Sequence, residues 1–306
     1  EEIADGVNTT HHNPFFMTDV VLPDTVFATH EIGRALERAE AVVMVTPSVG
    51  VRTTAEAMKP FLGEDVPIVI LSKGVENGTL MLMTEVLEDV LGNRDRLAGL
   101  SGPNHAEEVG KGVPSATVIA SYDARIGRLF QDLFMTRFFR TYTNPDVIGV
   151  ELCGASKNVI AVAAGMSDGL GYGDNTKATL MTRGLAEMGR LGNAMGANPL
   201  TYMGLAGVGD LIATCTSKNS RNRALGEFIG RGGTLEGFRA QTNMVAEGAF
   251  ACIAVEELGK RLGMELPITR EVHAVLYEGA SLADSEEALL GREASEELYG
   301  LSAPEL

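Results

Sequence analysis

Lys157 stands in the run Val150-Glu-Leu-Cys-Gly-Ala-Ser-Lys-Asn-Val-Ile-Ala-Val-Ala-Ala-Gly165, where nearly every neighbour is apolar or small. A lysine in such a helix either snorkels its ammonium to solvent or is held in a cleft by partners. In a cleft its pKa shifts readily, and a shifted lysine exchanges protons near neutral pH. Asn158 beside it, and Glu151 about two turns earlier on a similar face, make a polar stripe on an otherwise apolar helix.

A second concentration of chemistry lies at Gly204-Leu-Ala-Gly-Val-Gly-Asp210-Leu-Ile-Ala-Thr214, continuing to Ser220-Arg221-Asn222-Arg223. Three glycines ahead of one acid let the backbone bend sharply and approach a neighbour closely. Asp210 enters an apolar segment, where a carboxylate needs a cationic partner. Lys218, Arg221 and Arg223 then gather three positive charges within a few residues. Ser220 reads as the cap of the next helix. A capped helix start beside arginine is an anion site, because free N–H groups and the helix dipole both favour phosphate. A solvated basic turn would carry the same residues.

Two smaller signals follow apolar strand candidates. Lys73 and Gly74 come after 67–71, and Gly102-Pro-Asn104-His105-Ala106-Glu107 comes after 96–100. Strand ends form the ligand edge of an open α/β sheet. Asn104, with Glu107 three residues on, reads as a helix N-cap. Other residues carry less. His11 and His12 are adjacent and poorly placed to share a metal, so no metal site is expected. His105 and His273 read as helix-surface residues. No Gly-x-Ser-x-Gly, Walker A or His-Glu-x-x-His pattern occurs.

The elements that must position these residues divide the chain in two. Through residue 145, short apolar runs alternate with helical patterns. Strands are expected at 25–29, 41–45, 67–71, 96–100, 116–120 and 138–142. Helices are expected at 49–62, 80–91, 105–111 and 124–134. The unbroken apolar runs Val42–Val45 and Ile68–Leu71 are those of strands buried on both faces. This predicts a doubly wound α/β fold with a parallel sheet. Residues 146–306 read as an all-α domain, with helices at 146–169, 175–195, 221–229, 246–262 and 269–277 and a short one after Ser281.

With 306 residues the chain is long enough for two such domains. Its formal net charge of −16 disfavours nucleic acid as a partner, though a local positive pocket can still hold one phosphate. No uninterrupted apolar run of ~18 residues occurs, so no membrane insertion is expected. Three scattered cysteines, Cys153, Cys215 and Cys252, suit a reducing compartment, and the cytoplasm is the expected location.

The segments SKGVENGTL (72–80), LSGPNHAEEVGKGVP (100–114), the long stretch 142–188, GLAGVGDLIATCTSKNSRNR (204–223) and VAEGAF (245–250) resemble the signature segments of the glycerol-3-phosphate dehydrogenases, in wording closest to the bacterial branch. The resemblance runs from the first residues to about 280. It implies a Rossmann-like sheet followed by a helical domain, NAD or NADP as cofactor, and reversible reduction of dihydroxyacetone phosphate to sn-glycerol 3-phosphate, feeding glycerophospholipid synthesis. It further implies that Lys157 is the proton donor and acceptor, with Lys73 and Asp210 beside it. Gly102, Asn104, Thr214, Ser220, Arg221 and Asn222 match substrate contacts. Lys73, Ala106, Arg221, Val245 and Glu247 match cofactor contacts. Asn104 departs from the family's Ser or Thr.

The resemblance also implies an opening strand, a Gly-x-Gly-x-x-Gly loop, a helix and a second strand. Glu1-Glu-Ile-Ala looks like the helix after that second strand, so this first βαβ unit is missing from the sequence and is expected in the whole protein. Without it, Val42, Met44 and Ile68 are expected to lose cover. A homodimer is expected. Two other readings stay open: a related two-domain β-hydroxyacid dehydrogenase, and a non-catalytic phosphate-binding protein that has discarded its cofactor site.

Overall fold

The computed structural model describes residues 1–242 and 245–301. The first part begins with helices α1 (Glu2–Thr10) and α2 (Ile32–Leu36). It continues through β1 (Val42–Met44), α3 (Val51–Met58), β2 (Ile68–Ile70), α4 (Met83–Leu91) and β3 (Leu97–Ser101). It closes with α5 (Ala106–Val109), β4 (Ser115–Ser121), α6 (Ala124–Phe134) and β5 (Phe139–Asn144). The five strands form one sheet in chain order, with Val42 opposite Ile68, Ile68 opposite Leu97 and Ser115 opposite Phe139.

β2 shows why the continuous apolar runs matter. Ile68 and Ile70 pack with Val51, Ala55 and Val86 of α3 and α4, while Val69 packs with Phe130 of α6 on the opposite face. Successive side chains point to opposite faces of a strand, so covering both requires apolar residues at every position.

Three expectations need correction. The sheet is not wholly parallel, because β3 and β4 run antiparallel. Their connection contains only the four-residue helix α5, about 6 Å long, too little to return the chain to the start of β3. Residues 25–29 form no strand. Asn8 occupies the backbone there, its carboxamide donating to Ala28 O and accepting from Ala28 N, both at 2.8 Å. Met44 and Ile68 stay buried and Val42 is half-buried, whereas Val43 of β1 and Val45 just after it are exposed.

The helical part comprises α7 (Val147–Gly169), α8 (Asp174–Ala194), α9 (Asp210–Thr216), α10 (Arg221–Gly230) and α11 (Leu235–Gln241). It ends with α12 (Glu247–Arg261), α13 (Pro267–His273) and α14 (Leu282–Leu290). Among the described residues α7 alone is long and apolar enough to cross a membrane, yet 94% of its most apolar window is buried in protein. It is the central core helix, packed by α8, α9, α10, α12 and α13. Asp146 caps it, accepting from Gly149 N, and also accepts from Asn198 N and Thr201 Oγ1.

α10 lies along α7 in the same direction at very short range. A Cβ at Gly165 would overlap the Arg223 carbonyl, and one at Gly226 the Val162 carbonyl. Gly169 and Gly230 repeat the contact one turn on. Four glycines thus bring two backbones together and hold the start of α10 beside Asn158.

Candidate active site

Three chain segments far apart in sequence converge where the sheet meets α7. Lys73 follows β2, Lys157 lies in α7, and Asp210 opens α9 after a π-helical turn at Leu205–Gly209. Asp210 Oδ2 accepts from Lys73 Nζ at 2.7 Å and its Oδ1 accepts from Lys157 Nζ at 2.9 Å. Lys157 Nζ also donates to Thr214 Oγ1 at 2.6 Å, and that hydroxyl donates to Asp210 Oδ1 at 3.1 Å. Lys157 is 6% exposed and Asp210 3%, so the ammonium is held in a cleft and does not snorkel.

Burial pulls Lys157 down to about 8, against the attraction of Asp210 and aided by repulsion from Lys73. Burial pushes the Asp210 carboxyl up, but two ammonium groups together outweigh it and hold the group below its ordinary value. The difference is one of count: the acid has two counter-ions, whereas Lys157 has one counter-ion and one like charge. Two ammonium groups against one carboxylate leave the cluster with one net positive charge.

The strand ends supply the rest of the wall. Lys73 Nζ also donates to Gly102 O at 3.2 Å and to Asn104 Oδ1 at 3.5 Å. Gly102 has φ +149°, and a Cβ there would meet the Thr117 Cα and Ala116 carbonyl, so only glycine is relaxed at this turn. Asn104 is not a cap: His105 holds that position, without a side-chain cap bond. The Asn104 amide instead donates to Thr117 Oγ1, turning its oxygen toward Lys73. Gly154 of α7 leaves room for the Lys73 stem, since a Cβ there would lie 3.2 Å from Lys73 Cγ.

Sequence grouped some residues that the fold separates. Glu151 does not join Lys157. Its carboxylate accepts from Thr84 N at 3.0 Å and from Thr84 Oγ1, tying α7 to the start of α4. Burial raises it to about 7. In the basic turn, Arg223 is committed to Asp168 at 2.7 Å. Arg221 and Lys218 are exposed and make no ion pair among the described residues. Ser220 does cap α10, accepting from Arg223 N at 3.2 Å. Asn222 bridges three helices: its amide donates to Asn158 Oδ1 at 2.9 Å and its oxygen accepts from Gly248 N at 2.8 Å.

Ala106 and the pair Val245 and Glu247 lie at the starts of α5 and α12. Glu247 accepts from Ser48 N at 3.2 Å and Ser48 Oγ at 2.5 Å, joining the helical part to the loop after β1. Sequence reasoning passed over Ser48 and Thr117. Ser48 carried a usable signal, since it follows an apolar strand at the ligand edge just as Lys73 does. This edge fits the nicotinamide end of a dinucleotide. Thr46 Oγ1 and His105 Nε2 are buried there without a partner among the described residues, and Gly74 is so close to Ser48 that an added Cβ would lie 2.7 Å from the serine Cβ.

Fold and site together define a two-domain dehydrogenase, with a buried lysine where a Rossmann-like sheet meets a helical domain. Comparison with known proteins gives the same architecture a family. Residues 1–126 match the model of the NAD-dependent glycerol-3-phosphate dehydrogenase N-terminus, and residues 146–287 that of its C-terminus. A relative from Pelotomaculum thermopropionicum, named glycerol-3-phosphate dehydrogenase (NAD(P)+), is 47% identical over 299 residues, covering 97% of this chain and 86% of the relative. One of the same name from Corynebacterium aurimucosum is 47% identical over 294 residues, covering 95% and 89%. The crystal structure of glycerol-3-phosphate dehydrogenase from Coxiella burnetii superposes with a TM-score of 0.91 at 34% identity, covering 95% of this chain and 89% of that one. The chain belongs to the NAD-dependent glycerol-3-phosphate dehydrogenase family.

Proposed function

We propose that this protein interconverts dihydroxyacetone phosphate and sn-glycerol 3-phosphate with NAD(P)H, and that Lys157 is its acid–base group. The observation that carries the reading is the buried Lys157–Asp210–Lys73 cluster. A bound nicotinamide supplies or removes the hydride at the substrate carbon. Lys157 delivers a proton to the carbonyl oxygen in reduction and takes it back from the hydroxyl in oxidation. A lysine near 8 suits both directions, because its ammonium gives up a proton at smaller cost than an ordinary lysine yet remains protonated near neutrality. Thr214 and Asp210 fix the ammonium by accepting two of its three N–H bonds, leaving one for the substrate. The net positive charge of the cluster stabilises negative charge developing on the oxygen.

The phosphate end falls to the start of α10. Arg221 and Lys218 make no ion pair there among the described residues, the helix is capped, and Asn222 ties that turn to Asn158, next to Lys157. Lys73 and the Gly102–Asn104 turn complete the substrate wall, while Ala106, Val245 and Glu247 border the cofactor edge. Either dinucleotide is compatible with these residues. The three cysteines are free and buried, in keeping with a cytoplasmic setting, and the exposed Leu200 and Met203 are candidates for a homodimer contact.

The deciding experiment compares dihydroxyacetone phosphate with dihydroxyacetone in two variants of the whole enzyme. Lys157→Ala should lose well over ~10²-fold in turnover, the usual scale for a lost acid–base group. Arg221→Ala should raise KM for the phosphorylated substrate while changing little with the unphosphorylated one. Equal losses with both substrates would reject the phosphate assignment, and near-normal turnover in Lys157→Ala would reject the acid–base role.

A further inference from the structure

The Lys73 ammonium has three N–H bonds, and the fold sets an acceptor near each: Asp210 Oδ2 at 2.7 Å, Gly102 O at 3.2 Å and Asn104 Oδ1 at 3.5 Å. The carboxylate and the carbonyl can only accept. Asn104 differs, because a carboxamide carries an oxygen on one side and an NH2 on the other. Turned over, it would set its NH2 against the ammonium. Its orientation therefore needs an anchor.

Thr117 supplies that anchor through its hydrogen count. A hydroxyl has one hydrogen, and Thr117 Oγ1 donates it to Ser101 O at 2.9 Å. The residue is fully buried, so no water competes for that bond. Toward Asn104 the hydroxyl offers lone pairs alone, and it accepts from Asn104 Nδ2 at 3.1 Å. A reversed carboxamide would meet Thr117 oxygen to oxygen and Lys73 donor to donor. Both contacts are lost at once, in a place where unmade hydrogen bonds are costly. The backbone brings Thr117 to this position. β4 runs antiparallel to β3, so its beginning and not its end lies at the ligand edge, beside Ser101 and Gly102. A Cβ at Gly102 would lie 3.2 Å from Thr117 Oγ1, so the glycine also keeps space for the hydroxyl.

We infer that Thr117 is a positioning residue for the reaction proposed above: it holds the Asn104 carboxamide so that the substrate wall presents an acceptor oxygen beside Lys73. The inference rests on that reading for its substrate. Thr117 makes no hydrogen bond to Lys73 or Asp210 among the described residues, so it acts through Asn104.

Thr117→Val keeps the branched shape and removes the hydroxyl. In the whole enzyme it should raise KM for dihydroxyacetone phosphate about three- to tenfold, the scale of one lost hydrogen bond, with kcat nearly unchanged. Thr117→Ser keeps the hydroxyl and should keep KM near that of the unaltered enzyme. The deciding comparison adds Thr117→Val to Asn104→Ala. A residue that acts through Asn104 leaves KM where Asn104→Ala has set it, whereas a general loosening of the sheet adds its effect in both backgrounds. An unchanged KM in Thr117→Val, additive effects in the pair, or a Thr117→Ser enzyme as impaired as Thr117→Val would overturn the inference. NMR of the unaltered protein needs no variant to fold: an Asn104 side-chain amide proton should exchange slowly with water, and exchange as fast as that of an exposed asparagine would overturn the anchor. Failure of the unaltered enzyme to reduce dihydroxyacetone phosphate would reject the reaction itself and this role with it, an outcome distinct from normal reduction with an unmoved KM in Thr117→Val.

Discussion

Replacing Asp210 by Asn removes the carboxylate that holds the two lysines, and the consequence for the pH–rate profile can be worked out. Lys157 sits near 8 because burial depresses it and Asp210 partly restores it. An ion pair at ~4 Å in surroundings of effective permittivity ~20 is worth ~4 kcal/mol, and about 1.36 kcal/mol moves a pKa by one unit. Complete loss of the attraction would therefore lower Lys157 by ~3 pH units. The carboxamide of the variant still accepts a hydrogen bond, so a fall of about one to two pH units is expected. Carbonyl reduction needs the ammonium, so its rate declines as pH rises through the Lys157 pKa. Alcohol oxidation needs the free amine, so its rate rises through the same midpoint. In Asp210→Asn both midpoints should move to lower pH together. Steady-state kcat/KM, measured in both directions between pH 5 and 10, reads the free-enzyme value directly. The variant also leaves buried ammonium groups unpaired and should lose about 3–5 kcal/mol of stability, so rates are taken below its melting transition. Midpoints that stay put, or move upward, in a folded variant would refute the coupling of Lys157 to Asp210.

Other consequences concern the frame of the site. Glu151 is raised by burial to about 7, so between its unfolded value near 4.5 and 7 the native state holds the extra proton, and stability falls as pH rises through that window. Glu151→Gln should accordingly raise Tm by several degrees at pH 8 and change it little at pH 5; an equal effect at both pH values in thermal melts would contradict this. Gly226→Ala forces a methyl onto the Val162 carbonyl and must push α10 from α7, costing about 1–3 kcal/mol. Because α10 carries Arg221, KM for dihydroxyacetone phosphate should rise with it, and a destabilised variant with unchanged KM would show that the helix contact does not position the phosphate turn. Ser48→Ala removes the hydroxyl contact to the Glu247 carboxylate and keeps the backbone N–H contact, and should raise KM for the nicotinamide cofactor several-fold with kcat nearly intact. A fall in kcat at constant cofactor KM would place Ser48 in the chemistry instead.

What the sequence determined by itself was whatever depends on neighbours along the chain. The helix at 124–134 was readable to the residue, because Asp123 caps it and its apolar spacing buries Gly127 and Phe130. Ser220 was readable as a cap for the same reason, and the strands 42–44 and 68–70 followed from unbroken apolar runs, although only the second is buried on both faces. Asp210 announced that it needed a cation, but not which. Lys73 lies 137 positions away and Lys157 lies 53, and only the packing of α9 between the sheet and α7 brings both to one carboxylate. Tertiary structure likewise decided which charges stay free: Arg223 is spent on Asp168 and Arg221 is not, although only Asn222 separates the two in sequence. It moved Glu151 out of the site and into a bond with Thr84, and turned Asn104 from an expected cap into a partner of Lys73. The four glycines that set α10 on α7 read as ordinary small residues until the opposing backbone is present. Periodicity and capping are local, so composition and spacing reveal them, whereas ion pairing and close backbone approach belong to residues that meet only once the chain has folded.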